Sequence, residues 1–255
     1  MARPRKQHPS GAQVKSAIRA LELLEFFDRI ERPATISELS RALGYPQSST
    51  SMLVSSLVDQ GYLSVTPGRE VQPTARVSLL GRWMDLWIAD GRVSQLMAEL
   101  SRETGETILL GITNDVHVLY IDAIAAIKPM RLHIPRGTRR PLLTSGMGAL
   151  LLSAMDDAEI ARRVDSVARR TGPDDPRPPT LDEVMQDVAQ VRRQGYSLST
   201  DRLFPGAGVV CCLLPREVRD QPIGVGIGGL SAAISGNVEA YVELLHSGIR
   251  RHLEG

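Results

Sequence analysis

The sequence predicts an α+β fold, with a small helical unit first and a larger mixed unit after it, on three observations. Apolar residues recur at helical spacing through residue 60, two short strand-like runs follow at 62–72, and beyond residue 105 strands and helices mix without regular alternation. With 255 residues and 42% hydrophobic content, the chain can bury cores for two ordinary domains.

The elements can be justified in order. Val14, Ile18, Leu21, Leu24 and Phe27 follow the helical period and mark a first helix. After the Arg32-Pro33 break, Thr35-Ile36-Ser37-Glu38 fits a capping box, with Leu39, Ala42 and Leu43 as the apolar face and Gly44 as the stop. Tyr45-Pro46 then connects to a third helix from Gln47 to Gln60, closed by Gly61. Two short helices joined by a Gly-containing turn are a helix-turn-helix unit, and the third helix would read DNA. Thr50, Leu53, Val54 and Leu57 share one side of it, whereas Gln47, Ser48, Ser51, Met52 and Ser55 share the other. That second side suits a major groove, because Gln pairs with adenine and Ser with several base edges. Tyr62 to Val65 and Glu70 to Gln72 flank Thr66-Pro67-Gly68-Arg69, a hairpin with a basic tip that reads as a wing.

Charge supports this reading. Ten basic side chains face seven acidic ones through residue 76, and no acid precedes Glu22. Positive charge is thus concentrated where phosphates would meet it: Arg3, Arg5 and Lys6 in an N-terminal arm, Lys15 and Arg19 on the first helix, Arg41 on the second, and Arg69 on the wing. Gln47, Ser48, Ser49, Ser51 and Met52 are expected nearest the bases.

Val77 to Ala89 carries Leu79, Leu80, Trp83, Met84, Leu86, Trp87 and Ile88, apolar around more than half a helix. Such a helix needs partners on two sides, and Trp83 and Trp87 are expected to anchor a subunit interface. A helix near 93–104 follows, then strands Thr107 to Ile112 and His117 to Ala123 around Asn114-Asp115. Helices are expected at Gly146 to Met155 and Leu181 to Gln194, strands at Val209 to Leu214 and Ile223 to Leu230, and a last helix from Val238.

Other function classes have little to stand on. The longest apolar runs, such as Val209 to Leu214, fall far short of the ~20 residues that span a bilayer, so a cytoplasmic protein without membrane contact is expected. Adjacent Cys211 and Cys212 have no zinc-site spacing, the histidines show no metal pattern, and no serine occupies a nucleophile elbow. Gly224-Val225-Gly226-Ile227-Gly228-Gly229 satisfies a dinucleotide pattern but lies within a strand instead of opening a helix, so no cofactor is expected. Its glycines leave space on one side of a sheet. The competing readings are a small-molecule hydrolase with an accessory DNA-binding domain, and a structural DNA-binding protein without an effector. Turnover of candidate ligands would mark the first, and a thermal stability indifferent to ligand the second.

The segments Ala17 to Leu24, Ile36 to Gly44 and Leu53 to Leu63 resemble the isocitrate-lyase-regulator (IclR) family, and the resemblance continues at Gly137 to Gly146, Arg192 to Tyr196 and Pro205-Gly206. It departs at Met52, where the family commonly has arginine, and at Gln47, where lysine is frequent. A repressor that reads two half-sites of operator DNA as a homodimer or dimer of dimers is expected, because one short recognition helix offers too few base contacts to be specific. The resemblance implies a linker helix that helps dimerise the DNA-binding domains. The implied organisation is a basic arm over 1–12, a winged helix-turn-helix over 13–75, a linker and dimerisation helix over 76–90, and a GAF-like effector-binding domain over 91–255.

The effector is expected to be an organic acid larger than two or three carbons, with aromatic acids among the candidates. The backbone N–H groups of Gly146, Met147 and Gly148 open a helix and would hold a carboxylate. Arg131 and His133, on one side of an expected strand, would add positive charge. The family's polar pocket positions match Ser199, Val209, Gly226 and Gly228, where glycines enlarge the pocket and valine makes it less polar. Asp201 and Cys211 complete the candidate set.

Overall fold

The computed structural model describes residues 14–80, 91–128, 131–172, 175–215 and 221–254. The chain divides into two compact units, Met1–Leu86 and Trp87–Gly255.

In the first unit, α1 (Lys15–Ile30) runs one turn beyond the expected Phe27 and ends where Glu31 turns left-handed at φ 49°. The α2 helix (Ile36–Leu43) starts on Thr35, whose Oγ1 accepts the Glu38 N–H at 3.2 Å. Only this half of the expected capping box forms. The Glu38 carboxylate instead pairs with the Arg32 guanidinium at 2.5 Å, bracing the segment between α1 and α2. The recognition helix α3 (Gln47–Asp59) follows, then β1 (Leu63–Val65) and β2 (Val71–Pro73), an antiparallel hairpin joined by an isolated bridge from Val71 to Ala34. Leu23, Phe26, Phe27, Leu39, Val54, Leu63 and Val71 form the core. Leu39 is fully buried, so cutting it to alanine should cost ~2–5 kcal/mol. A short α4 (Ala75–Leu79) begins on Thr74. The rest of the expected linker helix, with Trp83 and Trp87, lies outside the described residues, as does the arm with Arg3, Arg5 and Lys6.

The second unit is a six-stranded antiparallel sheet covered by helices. Its strands are β3 (Thr107–Asn114), β4 (His117–Ile124), β5 (Arg139–Pro141), β6 (Ser197–Thr200), β7 (Ala207–Leu213) and β8 (Ile223–Leu230), in the order β5-β4-β3-β8-β7-β6. Period-2 alternation divides their side chains between two cores. Ile108, Leu110, Val210, Cys212, Val225 and Ile227 face α5 (Arg92–Thr104) and α10 (Val238–Leu253). Leu109, Tyr120 and Cys211 face α6 (Gly146–Ser153), α7 (Asp157–Arg170) and α8 (Leu181–Gln194). A short α9 (Ser231–Gly236) leads into α10.

Two expectations change. Arg131 and His133 lie in irregular chain, not a strand: β5 pairs only with His117 to Leu119 of β4, and 131–134 forms no ladder among the described residues, its Leu132 carbonyl being held by the Thr107 hydroxyl instead. The α7 helix was not foreseen, although Asp156 caps it by accepting the Glu159 N–H at 2.7 Å and Ile160, Val164 and Val167 keep helical spacing.

Candidate functional site

Two places bear on function, one in each unit. On α3, Thr50 and Val54 are buried, whereas Gln47, Ser48, Ser51, Met52 and Ser55 are exposed; Met52 shows 67% of its surface. Ser49 is half-buried at the margin of this stripe. Gln47 opens the helix, and its amide donates to Ser37 Oγ at 3.4 Å. Lys15 and Arg41 are exposed, and the Arg19 guanidinium lies over the Tyr45 ring at 4.6 Å. Arg69 is exposed at the hairpin tip in a left-handed conformation, φ 59°. The arrangement offers a polar, groove-sized face with scattered cations around it.

The second place is a cavity of about 240 Å³ beside the N-terminus of α6, some eight times the ~30 Å³ share of one liquid water. Leu109, Tyr120, Leu132, Ile134, Phe204 and Val209 give it apolar walls. Polar groups come from His133, Arg140, Ser145, Ser199 and Arg202, and no Asp or Glu lines it among the described residues. Local hydrogen bonds fix the irregular segments that complete it. Thr107 Oγ1 donates to the Leu132 carbonyl at 3.0 Å and accepts the Ala126 N–H at 3.3 Å, holding both residues to the sheet. Asp201 Oδ1 accepts from the Gly206 N–H at 2.6 Å and from Ser231 Oγ at 2.7 Å, fixing the turn that carries Arg202, Leu203 and Phe204. These bonds, with Ser231 first, hold the Asp201 carboxyl below its ordinary range.

Of the ten effector candidates, His133, Gly146, Ser199, Val209 and Gly228 line the cavity. Arg131, Met147, Asp201, Cys211 and Gly226 do not. Arg131 donates to the Ala126 carbonyl at 3.1 Å, and Asp201 shapes the turn. Met147 and Cys211 are fully buried, and burial, then Cys212, pushes the Cys211 thiol well above its ordinary value. The space beside Gly224 and Gly226 is filled by protein. A Cβ at Gly224 would overlap the Met147 sulfur, and one at Gly226 would approach Cys211 Sγ to 2.8 Å, so these glycines admit α6 and only Gly228 borders the cavity. At the helix start, Ser145 Oγ accepts the Gly148 N–H at 3.0 Å, so of the three expected N–H donors Gly148 is already engaged.

The sequence reading missed Arg140 and Arg202. The Arg140 guanidinium lies over the Phe204 ring at 4.7 Å, and Arg202 pairs with Asp187 of α8 at 2.5 Å. The Tyr120 hydroxyl makes no hydrogen bond among the described residues. Burial raises its pKa, Cys211 adds to this and Arg140 opposes it, so the phenol stays protonated and able to donate or accept. Among the described residues no group of three His, Cys, Asp or Glu could hold a metal ion, and no helix is long and apolar enough to cross a membrane.

Comparison with known proteins completes this picture. Residues 16–67 match the IclR helix-turn-helix domain, and residues 90–248 match the C-terminal domain of bacterial IclR transcriptional regulators. The acetate operon repressor of Salmonella typhimurium is 25% identical over 245 residues, covering 89% of this chain and 84% of that one. The effector domain of an IclR regulator from Acinetobacter sp. ADP1 superimposes with a TM-score of 0.60 at 30% identity, covering 67% of this chain and 99% of its own. An IclR homolog from Microbacterium hydrocarbonoxydans, solved with 4-hydroxybenzoate, gives a TM-score of 0.71 at 18% identity over 94% of this chain and 99% of that one. The two domain matches span most of the sequence: the chain belongs to the IclR family of bacterial transcriptional regulators, DNA-binding and ligand-responsive proteins, not enzymes.

Proposed function

We propose that this regulator is a cytoplasmic repressor that leaves its operator when an organic acid larger than three carbons, with a ring, fills the cavity beside α6. The observation that carries the reading is the lining: apolar walls, two guanidiniums and, among the described residues, no carboxylate. A carboxylate in an apolar site is strongly disfavoured unless paired, and Arg140 and Arg202 are the groups placed to pair it. A two- or three-carbon acid would leave most of the volume unfilled. The 4-hydroxybenzoate complex of the Microbacterium protein and the repressor role of the Salmonella relative support the same reading.

On the DNA side, Arg3, Arg5, Lys6, Lys15, Arg19, Arg41 and Arg69 contact phosphates, while Gln47, Ser48, Ser49, Ser51 and Met52 lie along the bases. One short recognition helix makes too few base contacts for a specific site, so a homodimer or dimer of dimers, joined through the 76–90 segment and its tryptophans, reads two half-sites. The test is a thermal-shift series with benzoates and phenylacetates against glyoxylate and pyruvate, followed by binding to an operator selected from random duplexes. Ring-bearing acids should stabilise the protein and release the operator. Glyoxylate or pyruvate as the tightest ligand would refute the reading.

A further inference from the structure

We propose that Arg202 is an exchangeable anion receptor: it is held by Asp187 in the empty protein and passes to the carboxylate of the effector when the cavity fills. The inference rests on reading the cavity as the effector site and adds how that site selects and reports an acid. Arg202 borders three concave regions, of which a small recess holds it with Asp187, Gly146 and Ser199 and the other two are larger. One is the apolar cavity; the other is a polar basin lined by Thr144, Arg177, Glu183, Gln186 and Asp187, from which the inner cavity's residues other than Arg202 are absent. The guanidinium therefore has an acid on its outer side and none within the cavity.

The two competing partners differ in what water can do for them. The Asp187–Arg202 pair is 2.5 Å apart, but its side chains keep 31% and 38% of their surface exposed, so Asp187 can be rehydrated when the pair opens. A carboxylate seated against the apolar walls of the cavity loses part of its hydration and gains most by meeting a cation there. The second guanidinium, Arg140, is stacked on Phe204 and presents its donors from the β5 side. Exchange is thus favoured for an anion and pointless for a neutral ligand of the same shape. It also has a mechanical consequence. Arg202 lies in the turn fixed by Asp201, and Asp187 lies on α8, which packs against α6; filling the cavity uncouples that turn from α8.

The two partners should respond with opposite signs. Asp187→Asn removes the competitor without touching the cavity, so it should tighten carboxylate binding severalfold, whereas Arg202→Gln should weaken it by roughly ten- to a hundredfold, the loss expected for one charged hydrogen bond. Asp187→Glu should restore wild-type affinity. The experiment is isothermal titration of the full chain and these three variants with benzoate, 4-hydroxybenzoate and phenylacetate, and with their neutral amides. Unliganded melting temperatures exclude misfolding. Tighter acid binding in Asp187→Asn, weaker binding in Arg202→Gln and amides indifferent to both substitutions would establish the exchange. If acids bind the wild type but Asp187→Asn binds them equally or more weakly, the exchange is overturned while the effector reading stands. If no acid or amide binds the wild type, the effector reading fails and the exchange falls with it.

Discussion

Replacing Gly228 with leucine brings a branched side chain into the cavity from β8. A Cβ at this position meets Leu109 Cδ1 at 3.3 Å, and its next neighbours are backbone oxygens at 3.8 Å, so the end of one flexible side chain must give by a few tenths of an ångström. Overpacking of this kind costs ~1–3 kcal/mol, offset by ~0.5–1 kcal/mol from removing a strand glycine. The net loss should be about 0–2.5 kcal/mol, or at most roughly 10 °C in Tm for a domain of this size. An acid at one hundred times its Kd stabilises the wild type by ~2.7 kcal/mol, roughly 5–11 °C, and should add nothing to the variant. Gly226→Leu is the control. Its Cβ would lie 2.8 Å from Cys211 Sγ and 3.3 Å from both Met147 Cε and Val209 Cγ2; Cys211 and Met147 are fully buried and cannot retreat, so it should lose more stability than Gly228→Leu while reaching the cavity only through the Val209 wall. Differential scanning fluorimetry with and without 4-hydroxybenzoate reads both quantities, and fluorescence anisotropy should show Gly228→Leu still binding operator DNA but no longer released by the acid. A folded Gly228→Leu protein that keeps the full ligand shift would refute the placement of the site.

Three further outcomes are expected. Deleting residues 1–12 should weaken binding to every duplex and flatten its salt dependence, while Gln47→Ala should change preference at one operator position; an unaltered salt slope would overturn this division. Trp87→Glu should lower the dimer fraction in sedimentation and abolish operator binding together, and an unchanged profile with intact binding would remove the interface role. Glu99 joins α5 to α10, bonded to His252 at 2.7 Å and paired with Arg251; these partners, His252 foremost, hold its carboxyl below the usual range. A depressed acid stabilises the fold above its ordinary pKa of ~4.3 and loses that contribution as pH falls through the folded value. Glu99→Gln should therefore flatten the acid limb of the stability curve, and superimposable curves would contradict this.

The legible parts of the sequence were those governed by local chemistry. Ile223 to Leu230 and the helix from Val238 are where runs and spacing put them, and Thr35 caps α2 as its position requires. What failed was set by distant partners. Glu38 was assigned to its own helix, but Arg32 competes for it more strongly. The glycines of β8 announced a face without side chains, yet not that Met147 from α6 would fill it at Gly224 and Gly226. Arg140 and Arg202 were not singled out, because nothing local says that Phe204 will lie beneath one and Asp187 beside the other. Asp201 was read as a ligand when its oxygen holds the turn that places Arg202.

The central proposal is that DNA bound through one unit is released when an acid fills the cavity of the other. Its most direct test is the anisotropy of labelled operator DNA with the full-length protein, titrated with ring-bearing acids at fixed salt. Saturable release by a ring-bearing acid, with glyoxylate and pyruvate requiring far higher concentrations, is the expected result. An operator complex indifferent to every acid, or dissolved most readily by the smallest ones, would contradict it.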